Sequence, residues 1–330
     1  MIWTYAAGAI AMALVAAITI VPVNIAQREA NTVATRMAVR VNDGDVCLGA
    51  RSLRTPGQCG TPTARPTWFS SLFAADDGPD PRYLTCIADP GPAVPRPCVF
   101  GSTDSQATKI ALVGDSHAAR YLPALEPWAH QQHVQLIVFL KNACPLITAQ
   151  EIGPRWDNSQ KDRDGCQKAS RDILKQLTRT PGLTAVLFAN RTRLYHSKRH
   201  PLRPNSIEPT MSLLRDHGIQ PVLFRDVPER YSTARPQAQT GPDCIAEHTD
   251  PTTACSSSVL NRQREPDPMR EAAASGSVPL IDLTSAFCDQ RRCYSLIGGV
   301  SVYQDDNHVT ATYMKTLAPQ LGQQLTAVLP

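Results

Sequence analysis

The chain has 330 residues, of which 42% are hydrophobic and 19% are charged, so it is long and apolar enough to bury a substantial core. Its formal net charge is only +4, and no basic stripe is interleaved with aromatic residues, which argues against nucleic-acid binding. One basic stretch, residues 191–203, indicates either a solvated loop or a contact with an anionic substrate or a membrane surface.

The first predicted element is a membrane anchor over residues 1–27. This segment carries no charged side chain, and most of it is one apolar run of the length that spans a bilayer as a helix. A cleaved signal peptide normally has a basic residue ahead of its apolar core, and none precedes this one. We therefore expect an uncleaved, single-pass anchor.

The ten cysteines indicate disulfides made in an oxidising compartment, because their number is even and their spacing is local. No CxxC motif and no histidine cluster accompanies them, so we expect no zinc or other metal. Disulfide formation indicates that the chain after the apolar segment lies outside the cytoplasm. Arg28 and Arg36, which follow that segment, instead favour a cytoplasmic location by the positive-inside rule, but two arginines are the weaker signal. Short loops favour sequential pairing, which the sequence alone does not fix: Cys47 with Cys59, Cys86 with Cys98, Cys144 with Cys166, Cys244 with Cys255, and Cys288 with Cys293.

Residues 28–106 predict an irregular, disulfide-rich extension. The segment holds four of the cysteines and turn-rich stretches such as residues 76–81, with few periodic patterns. We therefore expect three parts: the anchor at 1–27, the extension at 28–106 and a catalytic domain at 107–330.

From residue 107 onward, apolar strands alternate with amphipathic helices. This alternation predicts a parallel sheet covered by helices on both faces, with ligands bound beyond the carboxyl ends of the strands. Pro123 and Pro127 predict a kink or a break in the first helix. The predicted strands are 110–113, 134–140, 184–189, 219–224 and 278–283, and the predicted helices are 118–131, 166–177, 206–217, 260–274 and one capped by Thr310 that runs to 328.

The motif Gly114-Asp115-Ser116-His117 directly follows the first of these strands. Gly114 permits a tight turn, and Ser116 would then begin a helix whose free backbone N–H groups can stabilise an oxyanion. A helix cap is the plainer interpretation of this serine, and Ala118 replaces the second glycine of a G-x-S-x-G elbow. We expect His117 to be a structural neighbour of the turn rather than a second base.

The motif Asp305-Asp306-Asn307-His308 precedes the last helix. A separation of three residues lets one turn bring the Asp305 carboxylate to the Nδ1 atom of His308. Taken alone, the motif also fits a surface turn or a weak cation site, and Asp306 is the alternative orienting carboxylate. Together with Ser116, these residues predict a nucleophile, a base and an orienter for covalent acyl chemistry.

The two motifs resemble the first and last sequence blocks of the SGNH (GDSL-like) hydrolase family. The likeness is closest to the extracytoplasmic SGNH domain of bacterial acyltransferase-3 membrane proteins, which O-acylate cell-surface carbohydrates. Residues 98–101, 281–293 and 302–310 also look like that subgroup. The resemblance covers roughly residues 30–330. It implies a three-layer α/β/α sandwich with a flavodoxin-like, five-stranded parallel sheet.

The resemblance also implies roles for individual residues. Ser116 would be the nucleophile, His308 the general base and Asp305 its partner. The family takes further oxyanion donors from an asparagine and a glycine that each follow a strand. Asn190 stands in the first position; in the second, the chain reads Lys-Asn-Ala-Cys without a glycine, so we expect a backbone N–H near Ala143 to serve.

Three functions compete on the sequence alone. The leading one is an extracytoplasmic serine acyltransferase or O-acetylesterase that acts on cell-envelope carbohydrate, needs no cofactor and is anchored in a bacterial plasma membrane. An acyltransferase-3 membrane domain on a separate chain would then be its partner, unless the chain is a fragment of a longer membrane protein or a simple esterase. The alternatives are a general GDSL-type esterase or lipase, and a non-catalytic carbohydrate-binding or scaffold module.

Overall fold

The computed structural model describes residues 23–55, 57–147, 159–195, 202–229, 239–259, 267–276 and 278–330. Within these ranges, no helix combines the length and the hydropathy that a bilayer crossing requires. The predicted membrane anchor lies outside the described residues except for residues 23–27, so it stays a prediction.

The strands of the described residues form one large sheet and two small antiparallel pairs. The strands are β1 (Ile87–Ala88), β2 (Cys98–Gly101), β3 (Thr108–Gly114), β4 (Val134–Lys141), β5 (Leu183–Ala189), β6 (Gln220–Phe224), β7 (Ser257–Ser258), β8 (Leu280–Ile281), β9 (Arg292–Cys293), β10 (Leu296–Ile297) and β11 (Val300–Ser301). The large sheet has seven strands rather than the predicted five: six parallel strands run in the order β1-β4-β3-β5-β6-β8, and β2 pairs with β4 antiparallel. The five strands β4-β3-β5-β6-β8 follow the strand order of flavodoxin-like folds.

Helices cover both faces of the large sheet, as alternating side chains of its strands require. Ile110 and Leu112 of β3 pack with helices Ser116–Gln131 and Ala311–Val328, whereas Ala111 and Val113 face helices Gln160–Leu177, Pro204–Asp216 and Pro268–Gly276. The three layers are those of the predicted α/β/α sandwich. Other helices of the described ranges are residues 23–42, Ser71–Asp76, Pro81–Leu84, Gly241–Glu247 and Pro251–Ala254, with 3₁₀ turns at Gly49–Arg54, Thr192–Tyr195 and Thr284–Ala286.

All five predicted strands are present, with bounds shifted by a few residues. Of the kink or break predicted at Pro123 and Pro127, the break is wrong, because helix Ser116–Gln131 runs through both prolines, and the kink stays a prediction. Most of this helix is buried between the sheet and the C-terminal helix, and that packing outweighs the hydrogen bonds that the prolines cannot donate. The predicted helix 260–274 is described only from Pro268 and ends at Gly276.

The extension before residue 107 is less irregular than predicted, because its first part lies in helix 23–42, and it contributes to the sheet and to its core. β1 and β2 both pair with β4, at successive positions along its free edge. Val33 and Met37 of helix 23–42 are buried in the same apolar cluster as β3. The segment therefore packs against the predicted catalytic domain, and its boundary at residue 106 stays a prediction.

Each of the ten cysteines is bonded to its near neighbour in the chain, in the sequential pairing. The disulfides are Cys47–Cys59, Cys86–Cys98, Cys144–Cys166, Cys244–Cys255 and Cys288–Cys293. Cys144–Cys166 ties the loop after β4 to helix Gln160–Leu177, so it braces one of the loops at the carboxyl edge of the sheet.

Candidate active site

Ser116 begins a helix at the carboxyl edge of the sheet, between strands β3 and β5. Gly114 ends β3 against β5, and a Cβ atom at this position would lie 1.8 Å from the carbonyl oxygen of Ala189. Only glycine fits there, which explains the residue that opens the motif. The helix that follows β3 and the helix that precedes β5 lie on opposite faces of the sheet. Folds of this kind bind ligands in the crevice that this arrangement leaves between the two strands, and Ser116 lies at that crevice.

Asp115, which is fully buried, fixes the turn that presents Ser116. Its Oδ1 atom accepts a hydrogen bond from the backbone N–H of His117 at 2.9 Å and thereby caps the helix. Its carboxylate also accepts from the backbone N–H of Arg191 at 3.0 Å and from the hydroxyl of Tyr195 at 2.6 Å. The loop after β3 is therefore bound directly to the loop after β5.

The structure brings Ser116, His308 and Asp305 together in one hydrogen-bonded chain. The Nε2 atom of His308 lies 2.9 Å from the Oγ atom of Ser116. Its Nδ1 atom lies 2.7 Å from Oδ2 of Asp305, whose Oδ1 atom accepts from the backbone N–H groups of His308 and Asn307. This is the geometry that activates a serine hydroxyl toward a carbonyl carbon.

The surroundings of His308 favour its neutral form. Burial lowers the pKa of His308, the hydrogen bond with Asp305 raises it, and the nearby charges of His117 and Arg120 lower it further; the net pKa is below its usual 6.5. Burial raises the pKa of Asp305, but its hydrogen bonds from His308 and Asn307 outweigh burial and hold it well below the usual range. The His308 side chain remains 20% exposed, so a substrate can reach it.

His117 points away from Ser116 into a second, buried network. Its Nδ1 atom lies 2.8 Å from Oδ1 of Asp226, and its Nε2 atom lies 2.9 Å from Oδ1 of Asn307. The other carboxylate oxygen of Asp226 accepts from the backbone N–H of Thr192 at 2.9 Å. His117 therefore belongs to the scaffold of the site, as expected from the sequence.

Asn190 immediately follows β5 and is 1% exposed. Neither its amide nitrogen nor its amide oxygen has a hydrogen-bond partner among the described residues. Both chain neighbours of Asn190 contact the Gly114–Ser116 turn. The carbonyl oxygen of Ala189 lies against Gly114, and the backbone N–H of Arg191 donates to the Asp115 carboxylate. A buried, unpaired amide costs free energy in the resting protein, and a group that pairs with it during function would give a reason for that cost.

Ala143 stands in the turn after β4, at the same edge of the sheet. Its φ is 53°, a left-handed conformation that glycine adopts most easily. The resemblance implies a glycine in the loop after the second strand, and the backbone of Ala143 adopts a conformation that suits a glycine. The role of its N–H as an oxyanion donor stays a prediction.

Sequence reasoning missed Asp226, Asn307, Arg120 and Gln304. Arg120, one helical turn after Ser116, donates to the Gln304 side chain at 2.6 Å, which in turn donates to the carbonyl oxygen of Ala75 at 2.8 Å. The extension thereby braces the loop that carries Asp305 and His308. Asp226 could have been found, because it follows the carboxyl end of a predicted strand; Gln304 carried no comparable signal.

Side chains in the described part of the chain bear on two alternatives that the sequence left open. Arg191 of the basic stretch forms an ion pair at 2.6 Å with Glu229, whose side chain is 7% exposed, so this end of the stretch is not a solvated loop; residues 196–201 lie outside the described residues. Cys244, His248 and Cys255 lie within metal-binding distance of one another. Their two sulfur atoms are bonded as a disulfide, so this cluster offers no thiolate ligand.

Comparisons with known proteins agree with the fold. A family model described as "SGNH domain (fused to AT3 domains)" matches residues 85–323. The periplasmic domain of a lipopolysaccharide acetyltransferase from Salmonella ser. Paratyphi A aligns with a TM-score of 0.52 and 14% identity, covering 68% of this chain and 85% of that one. A putative acylhydrolase from Bacteroides fragilis aligns with a TM-score of 0.40 and 12% identity, covering 69% and 91%. No curated protein sequence matches the chain.

Proposed function

The chain belongs to the family of SGNH domains that are fused to acyltransferase-3 domains, and we propose that it is an extracytoplasmic serine acyltransferase or O-acetylesterase. Its substrate would be an acylated carbohydrate of the cell envelope. The observation that carries this proposal is the hydrogen-bonded chain from Ser116 through His308 to Asp305 at the carboxyl edge of the sheet.

The first half-reaction loads the acyl group onto Ser116. The Oγ atom bonds to the acyl carbonyl carbon while its proton passes to Nε2 of His308, and the carbonyl oxygen becomes an oxyanion. When this intermediate collapses, the bond to the leaving oxygen breaks, and that oxygen takes the proton from His308. Asp305 stabilises the transient imidazolium through its bond to Nδ1.

The second half-reaction releases the acyl group to an acceptor. A sugar hydroxyl, or water, attacks the acyl carbon and gives its proton to His308. Collapse breaks the bond to Oγ, and Ser116 recovers the proton. The same residues thus serve transfer and hydrolysis, and the acceptor decides which of the two occurs.

Three donors would stabilise the oxyanion. The backbone N–H of Ser116 lies in the first turn of a helix, where such groups lack intrahelical partners. The buried amide of Asn190 needs a partner and stands beside the Gly114–Ser116 turn. The N–H of Ala143, in a turn of glycine-like conformation, is the third.

Two observations support a cell-envelope substrate. Five disulfides suit an oxidising compartment, and the fold is shared with the periplasmic domain of a lipopolysaccharide acetyltransferase. Relatives fused to an acyltransferase-3 domain suggest that such a membrane domain, on this or another chain, supplies the acyl group. The residues before the described part would hold the protein at the plasma membrane.

A comparison of ester substrates tests the proposal. We expect the full chain to hydrolyse 4-nitrophenyl acetate and to deacetylate an O-acetylated oligosaccharide, and to act far less on a 4-nitrophenyl ester of a long fatty acid. S116A should remove both activities, whereas S105A, which alters an exposed serine, should retain them. A preference for the long-chain ester would favour a general lipase, and full activity of S116A would reject the mechanism.

A further inference from the structure

We propose that His117 is a positioning residue for this reaction. As a charged imidazolium, it holds loop 305–308 in place through its hydrogen bond to Asn307, and its positive charge disfavours protonation of His308. The inference rests on the proposed function, since it assigns His308 as the base. It starts from two histidines whose ring centroids lie 5.3 Å apart and whose surroundings differ.

The hydrogen bonds of His117 require a proton on both ring nitrogens. Nδ1 faces a carboxylate oxygen of Asp226, and Nε2 faces the amide oxygen of Asn307, so both partners are acceptors. The orientation of the Asn307 amide is fixed independently, because its nitrogen donates to Oδ1 of Asp306 at 2.6 Å. A flipped amide would place its oxygen against that carboxylate oxygen.

The groups around His117 stabilise the positive charge of its ring. Asp226 accepts from the N–H of Thr192 with its second oxygen, and a carboxyl group is a far stronger acid than an imidazolium, so the shared proton stays on the ring. Burial lowers the pKa of His117, but the negative charges of Asp226, Asp115 and Glu229 outweigh burial and raise it to about 9. His117 is 2% exposed, so water screens these charges poorly.

The environment of His308 instead favours a neutral ring. Its Nδ1 atom donates to Asp305, and its Nε2 atom accepts from the Ser116 hydroxyl, which a neutral imidazole satisfies fully. The charges that face it are Asp305, which favours protonation, and His117 and Arg120, which oppose it. The positive ring of His117 thus keeps the base available at lower pH than Asp305 alone would allow.

The bond from His117 to Asn307 also sets the geometry of the base. Asn307 lies between Asp305 and His308, and its backbone N–H donates to Asp305 at 2.9 Å. Its side chain spans from His117 on one helix to Asp306 in the same loop. Hydrogen bonds on the side of His117 therefore hold the loop in place, while the ring of His308 remains accessible to a substrate.

The test combines histidine NMR and kinetics on the full chain. With ¹⁵N-labelled histidine, we expect His117 to show two protonated ring nitrogens at pH 7 and His308 to show one. In H117Q, the pKa of His308 should rise by about 0.5–1 unit, and the acid limb of kcat/KM for 4-nitrophenyl acetate should move up by the same amount. H130Q, which alters an exposed histidine on the same helix, is the matched control and should change neither.

Two results would overturn the inference: a neutral His117 ring in the wild-type protein at pH 7, or an unmoved His308 titration in folded H117Q. A purely structural role for His117 predicts the second result together with lost stability. If H117Q does not fold, the ring signals of the wild-type protein decide alone. The NMR titration needs no turnover, so an inactive protein would reject the proposed function without deciding this inference.

Discussion

The Nε2 atom of His308 lies 2.9 Å from the Oγ atom of Ser116, although 192 positions separate the two residues along the chain. Ser116 is the first residue of helix Ser116–Gln131, and His308 lies just before Thr310, which caps helix Ala311–Val328. The two helices pack against each other on one face of the sheet. The packing of these two helices therefore helps to bring the proposed nucleophile and the proposed base within hydrogen-bond distance of each other.

Removing the carboxylate that orients His308 should slow the chemical step. We expect D305N to lower kcat for 4-nitrophenyl acetate by about 10³–10⁴-fold with little change in KM, because an amide cannot hold the same tautomer or stabilise the imidazolium. D306N is the matched control and should cost less than about 10-fold. A larger loss in D306N than in D305N would make Asp306 the orienting residue.

The pH dependence of hydrolysis should report the base. The pKa of His308 is lower than its ordinary 6.5, and the residue acts while neutral, so kcat/KM should fall only as pH drops below 6.5. Initial rates between about pH 4.5 and 8.5 measure this limb. A midpoint above about pH 7 would mean that His308 is stabilised as a cation.

The unpaired amide of Asn190 gives a prediction that distinguishes a catalytic role of this residue from a structural role. N190A should lower kcat by roughly 10²–10³-fold, as expected when one oxyanion donor is lost. Its free energy of unfolding should stay within about 1 kcal/mol of wild type, because the amide has no partner to lose in the described structure. Normal kcat together with a clear loss of stability in urea unfolding would instead indicate a structural role.

The charge of His117 predicts how stability changes with pH. Its pKa is raised in the folded protein to about 9 from 6.5, so its stabilisation is complete below pH 6.5 and is lost as pH rises through 9. Urea unfolding at about pH 6.5 and about pH 10 should show a decline of roughly 1–3 kcal/mol that is much smaller in H117Q. An equal decline in both proteins would contradict the assignment.

The disulfide Cys144–Cys166 should stabilise the protein substantially. It closes a loop across a sequence separation of 22 residues, for which loop-closure entropy gives about 3 kcal/mol. The double variant C144A/C166A should lose that amount in urea unfolding. C288A/C293A, which opens a separation of only 5 residues, should lose less, and the reverse order would contradict the entropic account.

The sequence predicted five of the six parallel strands because each is a short, mostly apolar segment that ends in a turn. It also predicted that Ser116, Asp305 and His308 would meet, since a strand end and a loop before the last helix meet at one edge of the sheet. β1 and β2 were missed because strands of 2 and 4 residues are too short to show a period.

The network of His117 could not have been predicted from spacing. Asp226 and Asn307 lie 109 and 190 residues from His117, and only the packing of one helix against two loops brings the three residues together. Likewise, the left-handed turn at Ala143 was hidden because alanine gives no sequence signal for that conformation. Local motifs predict the nucleophile and the base, whereas the groups that hold these two residues in place depend on tertiary structure.

Covalent labelling tests the nucleophile most directly. The full chain would be treated with a fluorophosphonate probe, digested and mapped by mass spectrometry. We predict one modified peptide, with the adduct on Ser116, absent from S116A and strongly reduced in H308A. Labelling that persists in S116A, or that maps to another serine in the wild-type protein, would contradict this assignment.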